Sequence, residues 1–474
     1  MPSLKKSIFL STSERYLVFG IQFFSSIIIA RLLTPLDIGI FAIGSIILSF
    51  SHVIRDIGIS NYVIQEVDLN QERLQTAQTV LFITSWSLAT ILWLASGYVA
   101  HFYAEPGVSE VIQVLAITFL ILPFGALASA LLKRDMRFDQ LFKINISSSI
   151  VHALTGIGLS SSGFGFISLA WAGVIATITT VVLTTYYSNS RVPMLPKLSE
   201  FTHVMKTAGR FSGASLLYEI GNTGPELIVG RTISVESTGF LGRAQGIVGL
   251  FYRTIVEGLL PVLLSHFAQS HREQKDIGTQ ILGTLGNVSA VVFPVFACLF
   301  IVMDSAIMLL YGSQWESSVE PARVLCIGTS LISIAVVINA ALAGMGEAKH
   351  SLRSNLIGQP TKLALVLVAS CCSISHVAAA MTFGDLLVFA YMLWASKKTT
   401  NFKWKAFIHC MALSGFIAAC AAGACLLFKF AASEMSDGLI VGGCAFSSAL
   451  GWLLGIVLTR HSLGPELVGM IRKR

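Results

Sequence analysis

Residues 31–42 read Arg-Leu-Leu-Thr-Pro-Leu-Asp-Ile-Gly-Ile-Phe-Ala and form a short polar turn between two apolar runs. The run before the turn covers about 16–33, and the run after it covers about 38–54. Each approaches the roughly 20 apolar residues that a helix needs to cross a bilayer. The same alternation of apolar run and short turn continues along the chain, so we expect an all-α polytopic membrane protein.

The composition supports this interpretation. Hydrophobic residues make up 54% of the 474-residue chain, charged residues make up 12%, and the mean hydropathy is +0.75. Soluble globular domains carry about 25% charged residues, so this chain has too few charges to cover a surface that faces water. The net charge of +7 comes from short basic clusters between apolar runs. Because these clusters form no single patch or stripe, we expect no nucleic-acid partner.

The hydropathy pattern predicts about fourteen transmembrane helices. The weakest candidates are the fifth span, which is polar, and the eleventh, which contains Gln359, Pro360 and Lys362. In chain order, the predicted spans cover about 16–33, 38–54, 79–100, 111–132, 144–160, 166–187, 211–230, 238–264, 279–303, 324–343, 356–372, 376–395, 407–428 and 439–459.

The basic residues predict the orientation of these spans. With the N-terminus in the cytoplasm, most of the 32 Lys and Arg residues fall in cytoplasmic segments, and the external loops carry acids such as Glu105, Glu316 and Glu434. Lys and Arg favour the cytoplasmic side of a membrane. One miscounted span would reverse this bias downstream, and no reversal occurs. We expect both termini in the cytoplasm and a first span that serves as its own uncleaved signal.

A short internal repeat divides the chain. Arg31 and Gly39 of the opening turn recur as Arg231 and Gly239, both at a spacing of 200 residues. A polar loop lies after the sixth span, where a linker between two six-helix bundles would lie, and an even number of spans makes the repeat parallel. We therefore expect an N-terminal six-helix lobe at 1–190, a cytoplasmic linker at 191–210, a second six-helix lobe at 211–396, and two additional helices with a cytoplasmic tail at 397–474.

The seventh predicted span carries Glu219, Asn222 and Glu226, whose spacings of three and seven place them on one helical face. An ionisable group costs roughly 2.5–3.5 kcal/mol at the centre of a membrane helix, so its retention suggests function. Pro225 and the glycines beside Asn222 weaken this helix, and we expect a break that lines a binding site. A proline kink with structural polar pairs is the alternative.

The eighth predicted span carries Arg253 and Glu257 four residues apart on one face. From the depths of the two spans, we expect Arg253 to face Glu219 or Glu257 across a cavity. A guanidinium there suits an anionic phosphate, because it can engage two oxygens at once. A purely structural salt bridge is the competing interpretation.

Other spans carry further polar residues. In the second span, a polar stripe that ends near Arg55 consists of Ser45, Ser49, His52 and Asp56. In the first span, Gln22 interrupts the apolar run. Asp385 in the twelfth span is a lone carboxylate that either binds a coupling ion or pairs with Lys362. The chain has no glycine-rich phosphate loop, HExxH or GxSxG motif, so we expect no catalytic residue, no metal site and no cofactor.

The opening stretch, residues 31–42, resembles the first external turn of the Wzx-type polysaccharide-biosynthesis flippases. Residues 56–60, 101–103 and 131–138 resemble the same family in the same order, and the likeness covers most of 10–400. This resemblance implies the multidrug/oligosaccharidyl-lipid/polysaccharide exporter superfamily, whose fold has two six-helix lobes around a central cavity. Its Wzx-type members flip polyprenyl-pyrophosphate-linked oligosaccharide to the outer leaflet.

We therefore expect a flippase of the bacterial inner membrane that serves exopolysaccharide, capsule or O-antigen synthesis and is not an enzyme. A multidrug or small-molecule/cation antiporter of the same superfamily is the first alternative. A membrane-embedded polymerase or acyltransferase of the same pathway is the second, although it would need a catalytic constellation. In the flippase, Arg253, Arg55, Gln22, His52 and Asn222 would line the cavity and bind substrate, and Glu219, Glu226, Glu257 and Asp385 would balance charge or carry H+ or Na+.

Overall fold

The computed structural model describes residues 4–56, 58–66, 68–188, 197–201, 212–432 and 434–465, which are helical apart from short turns and contain no strand. The all-α prediction is confirmed for this part of the chain. In order, the helices are α1 (Leu4–Leu32), α2 (Pro35–Asp56), α3 (Ile59–Gln65), α4 (Gln71–Tyr103), α5 (Gly107–Ile121), α6 (Pro123–Arg134), α7 (Phe138–Ser161), α8 (Ile167–Tyr187), α9 (Ser212–Thr232), α10 (Val235–Tyr252), α11 (Leu260–Arg272), α12 (Ile277–Leu310), α13 (Val319–Gly344), α14 (Lys349–Ala369), α15 (Ile374–Thr399), α16 (Trp404–Ala431) and α17 (Asp437–Thr459).

The helices make this a multi-span membrane protein. In the described part of the chain, ten helical stretches are long and apolar enough to cross a bilayer. An eleventh is added if α5 and α6, which meet at a bend of 57°, count as one span. Helices also occupy the three remaining predicted spans, as α7, α9 and α14, but polar residues lower their hydropathy. The count of fourteen membrane crossings therefore stays a prediction.

Contacts divide the chain into two compact units, 1–239 and 240–474. The first unit includes α9, which packs on α2. In the second unit, α16 and α17 pack on each other and on α12. Most of the predicted linker, 191–196 and 202–210, lies outside the described residues. The lobe limits at 1–190, 191–210, 211–396 and 397–474 therefore stay predictions.

Close packing holds the helices of the first unit together. A buried cluster joins α2, α4, α5 and α8 and includes Ile43, Val111 and Phe119. Burial in lipid yields no hydrophobic gain between helices, so small residues and tight van der Waals contact must stabilise their association. Gly44 shows this, because a Cβ at that position would lie 2.5 Å from the Val111 side chain.

The turn at 31–42 and its repeat begin two helices in the same way. The Thr34 hydroxyl donates to Asp37 Oδ2 over 2.6 Å, and the Asp37 backbone amide donates back to Thr34 Oγ1 over 3.1 Å. At the start of α10, the Ser237 amide donates to Ser234 Oγ over 3.0 Å. Both arrangements satisfy amide groups that a helix start leaves without an intrahelical partner. The two caps are 200 residues apart, as in the sequence repeat.

The same repeat places two glycines at a reciprocal crossing of α2 and α10. A Cβ on Gly39 would lie 2.0 Å from the backbone oxygen of Val235, and a Cβ on Gly239 would lie 2.3 Å from that of Pro35. The contact is symmetric, because Gly39 and Pro35 correspond to Gly239 and Val235 at the repeat spacing. All four residues belong to the first unit. The glycines therefore allow the two backbones to approach more closely than any side chain would permit.

Candidate functional site

Helix α9 continues through the segment where the sequence predicted a break. It runs unbroken over Ser212–Thr232 with Pro225 inside it, so the expectation of a broken helix is wrong. A proline removes a single backbone donor, and both Gly224 and Pro225 are buried against neighbouring helices that hold the backbone in place. The irregular backbone occurs instead after α10, where Arg253–Glu257 form a π-helical turn.

The polar faces of α2 and α9 meet at one hydrogen bond. The Ser49 hydroxyl donates to Glu219 Oε1, and both side chains are partly buried in the first unit. Ser49 belongs to the polar stripe that the sequence predicted on the second span. The contact therefore brings the stripe of α2 and the carboxylate of α9 together in a single site.

Two residues predicted for this site follow Ser49 on α2. The His52 ring lies 4.8 Å from the ring of Phe119, centroid to centroid, and is largely buried. One turn further on, Arg55 has Nε and NH1 buried without a hydrogen-bond partner among the described residues. The neighbouring Asp56 accepts a hydrogen bond from Ser60 Oγ over 2.8 Å. The guanidinium is therefore largely desolvated beside the Asp56 carboxylate, and its Nε and NH1 donors are not used by the described part of the protein.

The remaining predicted residues of the first unit differ in burial. Glu226 is half-buried on α9, and its backbone oxygen accepts the Thr238 hydroxyl over 3.1 Å. Asn222 on α9 and Gln22 on α1 are exposed. Of the predicted polar groups, the structure thus joins Glu219 to the stripe of α2. The exposed side chains of Asn222 and Gln22 form no hydrogen bond to that stripe within the described residues.

In the second unit, Arg253 and Glu257 begin and end the π-helical turn. Arg253 is exposed and forms no ion pair with Glu257 or any other acid in the described part of the chain. An ion pair between Arg253 and Glu257 is therefore absent there, although the two residues belong to the same turn. Glu219 belongs to the other unit, and its facing of Arg253 stays a prediction.

Asp385 has a partner that the sequence left as one of two options. Lys362 Nζ of α14 lies 2.8 Å from Asp385 Oδ1 of α15, and the side chains are only 9% and 17% exposed. The same carboxylate lines a cavity of about 150 Å³ between α10, α13 and α15. This is the second candidate site, and it lies within the second unit.

Arg243 is a candidate that the sequence analysis passed over. Its guanidinium lies 5.3 Å from the Tyr311 ring and 5.2 Å from the Trp315 ring, and its Nε is buried without a hydrogen-bond partner in the described chain. Both rings come from about 70 residues further along the sequence, so no local spacing indicates the contact. The signal available was an arginine inside an apolar span.

The comparisons with known proteins agree with this architecture. A family model described as "Polysaccharide biosynthesis protein" matches residues 28–320. The teichuronic acid biosynthesis protein TuaB of Bacillus subtilis is 25% identical over 59% of this chain, and the match spans 58% of TuaB, less than two thirds of its length. The succinoglycan biosynthesis transport protein ExoT of Rhizobium meliloti is 23% identical over 69% of this chain and 67% of its own.

A solved structure of the lipid II flippase MurJ, in an inward closed conformation, has the same fold. Its TM-score is 0.80, and the superposition covers 96% of this chain and 99% of MurJ at 13% sequence identity.

Proposed function

The chain belongs to the polysaccharide biosynthesis protein family, and we propose that it moves a saccharide linked to polyprenyl pyrophosphate from the inner to the outer leaflet of the bacterial inner membrane. The substrate would serve exopolysaccharide, capsule or O-antigen synthesis. The names of TuaB and ExoT, the MurJ fold and the many membrane spans support this proposal. The alternation of basic and acidic loops supports an orientation with both termini in the cytoplasm.

The observation that carries the proposal is the buried guanidinium of Arg55. Its Nε and NH1 have no hydrogen-bond partner among the described residues, and buried donors of a charged group that stay unsatisfied are costly. A protein retains such a group where a ligand of opposite charge completes it. A pyrophosphate supplies oxygens that a guanidinium can engage in pairs.

The neighbouring groups suit the rest of such a substrate. Ser49 and Glu219 lie on α2 and α9 within about two turns of Arg55, roughly 9 Å along the helix axis. The serine hydroxyl can donate to and accept from sugar hydroxyls, and the carboxylate can accept hydrogen bonds from them. We assign Arg55 to the pyrophosphate, and Glu219, His52, Asn222 and Gln22 to the polar lining. Arg253 would bind phosphate in the second unit, where Glu257 would balance charge, and Glu226 would balance charge in the first unit.

The test is complementation of a deletion strain with variants of the full chain. Arg55→Gln keeps a polar side chain of similar length but removes the charge, and we expect surface polysaccharide to fall while the lipid-linked saccharide accumulates in the inner leaflet. Arg73→Gln is the matched control, because Arg73 is already paired with Glu66 at 2.8 Å. If the two variants produce equal amounts of surface polysaccharide at equal expression, the assignment of Arg55 to the pyrophosphate is wrong.

The same strains separate the alternatives. An antiporter predicts drug sensitivity on deletion with polysaccharide unchanged. A polymerase predicts that the purified protein extends saccharide chains.

A further inference from the structure

A cavity of about 360 Å³ lies between α4, α5 and α8 in the first unit and contains none of the residues assigned to the transported substrate. Its polar and aromatic lining consists of Trp93, Glu110, Gln113 and Trp171. The short turn at 104–106 joins α4 to α5. The start of α8 lies beside this turn, since a Cβ on Gly107 would meet the Phe166 ring at 2.9 Å. The cavity is therefore near the ends of three adjacent helices.

The acidic group and one indole ring of this cavity lie close to the helix ends, where a membrane helix passes through the headgroup layer. Counted at 1.5 Å per residue, Glu110 lies about 5 Å from the start of α5, and Trp171 lies about 6 Å from the start of α8. The headgroup layer on each side of a bilayer is about 5–8 Å thick. Indole rings favour this layer because they are apolar with one polar edge. The predicted orientation assigns these helix ends to the outer leaflet.

An apolar cavity continues from the first one towards the middle of the helices. It has a volume of about 230 Å³ and shares Trp93 and Ile117 with the first cavity. It extends to Leu120, about 20 Å from the start of α5. The hydroxyl of Thr90 in its lining bonds back to the Trp86 backbone oxygen over 3.0 Å. The two cavities therefore form a single groove, with polar groups near the helix ends and apolar surface beyond them.

The free polar groups at the mouth of this groove are hydrogen-bond acceptors. Gln113 Nε2 donates to Ser96 Oγ over 3.1 Å and to Ser109 Oγ over 3.2 Å. These bonds use both amide protons and leave Gln113 Oε1 to accept from a ligand. The Glu110 carboxylate is exposed and forms no hydrogen bond or ion pair with a described residue. A ligand that suits both groups must therefore supply N–H or O–H donors, and the carboxylate favours one with a positive charge.

We propose that the groove binds a phospholipid whose headgroup ends in a primary ammonium, such as phosphatidylethanolamine. The three N–H donors of the ammonium bond to Glu110 and Gln113, and the indole rings beside them attract the same cation. The indole N–H groups of Trp93 and Trp171 donate to no described residue, so they are available to the phosphate. One acyl chain lies in the apolar cavity. Cation, phosphate and chain then follow one another along the groove in the order in which the lipid carries them.

Other occupants fit the groove less well. Anionic phospholipids and a lipid-linked pyrophosphate would place negative charge beside Glu110, and like charges repel. A choline headgroup is cationic but has no N–H donor for the two acceptors. A free saccharide supplies donors and stacks on indole rings, but it would leave the apolar cavity unfilled. The lipid site is separate from the proposed transport function and does not rest on it.

The test is native mass spectrometry of the purified, delipidated full chain with equal concentrations of phosphatidylethanolamine, phosphatidylcholine and phosphatidylglycerol that carry identical acyl chains. We expect phosphatidylethanolamine to be retained best. Glu110→Gln should weaken its binding roughly tenfold, the value of one hydrogen bond to a charged group. Glu105→Gln is the matched control and should keep the preference. It removes a carboxylate from the adjacent turn, and Glu105 lines neither cavity.

A second variant reverses the charge at the mouth of the groove. Glu110→Lys should prefer phosphatidylglycerol, which a merely structural role of Glu110 would not produce. Because Glu110 is exposed, both substitutions should keep the unfolding midpoint of the native chain, and a variant that keeps it carries the test.

Three results would overturn the proposal. Equal retention of the three lipids by the native chain would mean that the groove holds only unselected bilayer lipid. Equal effects of Glu110→Gln and Glu105→Gln would remove Glu110 from the recognition. Displacement of phosphatidylethanolamine by maltotetraose, a soluble oligosaccharide, would make the cavity a saccharide site. None of these readouts involves Arg55 or polysaccharide export, so failure of this inference is distinguishable from failure of the proposed function.

Discussion

The crossing of α2 and α10 at Gly39 and Gly239 leads to a quantitative prediction for Gly39→Ala. The new Cβ would lie 2.0 Å from the Val235 backbone oxygen, whereas ordinary contact begins near 3.4 Å, so the two backbones must separate by about 1.4 Å. The obstacle is a carbonyl group of the main chain, which cannot rotate away as a flexible side chain can. Gly239→Ala meets the Pro35 oxygen at 2.3 Å and should behave alike.

The magnitude follows from two opposed effects. Overpacking of this kind costs about 1–3 kcal/mol, and a backbone obstacle favours the upper end. Alanine in a helix regains up to about 1 kcal/mol relative to glycine. We expect a net loss of about 1–2 kcal/mol. For a unit of this size, each kcal/mol lowers the midpoint of thermal unfolding by about 2–4 °C.

The assay is thermal unfolding of the purified full chain in detergent. Gly97→Ala in α4 is the matched control, since its Cβ would meet no atom within 4 Å. It should raise the midpoint slightly through helix propensity alone. If Gly39→Ala and Gly239→Ala shift the midpoint in the same direction and by the same amount as Gly97→Ala, the close crossing does not exist and the reasoning is refuted.

Three further predictions follow from individual contacts. Ser49→Ala should lower the unfolding midpoint, because it removes a hydrogen bond to a carboxylate that is worth about 1.5–3 kcal/mol. The control Ser45→Ala should be nearly neutral, because the Ser45 hydroxyl bonds only to the backbone oxygen of Ala42, at 2.8 Å. Equal shifts of the midpoint in the two variants would contradict the Ser49–Glu219 bond. Lys429→Met removes an ammonium that donates to both carboxylate oxygens of Asp304, at 2.7 and 2.8 Å. Since the pair is partly exposed, we expect the free energy of unfolding to fall by about 1 kcal/mol or less. In a double-mutant cycle, this loss should not add to that of Asp304→Asn. In the loop before α14, the hydrogen bond from the Lys349 ammonium lowers the pKa of Glu347. A carboxyl group with a lowered pKa stabilises the folded state above its unfolded-state pKa, and this stability is lost as the pH falls through its folded-state pKa. Lys349→Met should therefore weaken the dependence of the unfolding midpoint on pH at acid pH, and an unchanged dependence would argue against this coupling.

Much of the helical architecture could be predicted from the sequence because its physical cause is local. A run of apolar residues in lipid must form a helix, since every backbone polar group has to be satisfied within the segment. The turn at 31–42 and its repeat also follow from local chemistry, as the Thr34–Asp37 and Ser234–Ser237 caps show. The polar faces of α2 and α9 could be identified from helical spacing alone.

The partners of those polar residues could not be predicted in the same way. Helical spacing placed Arg253 and Glu257 on one face, yet the exposed Arg253 forms no ion pair with Glu257 in the described part of the chain. Pro225 suggested a break, yet the buried surroundings of α9 keep it continuous. The cation–π contacts of Arg243 join residues about 70 positions apart, and spacing has no means of indicating them.

The sequence by itself determined that the chain is an all-α membrane protein, roughly where its long helices lie, and which residues are polar inside them. Only the tertiary structure decided that Glu219 bonds to Ser49, that Asp385 pairs with Lys362, and that Gly39 and Gly239 cross. The physical reason is that lipid solvates every apolar helix face equally well, so hydropathy does not specify which faces pack together. Those choices depend on the shapes and polar groups of helices that are distant in the chain and meet only in the folded protein.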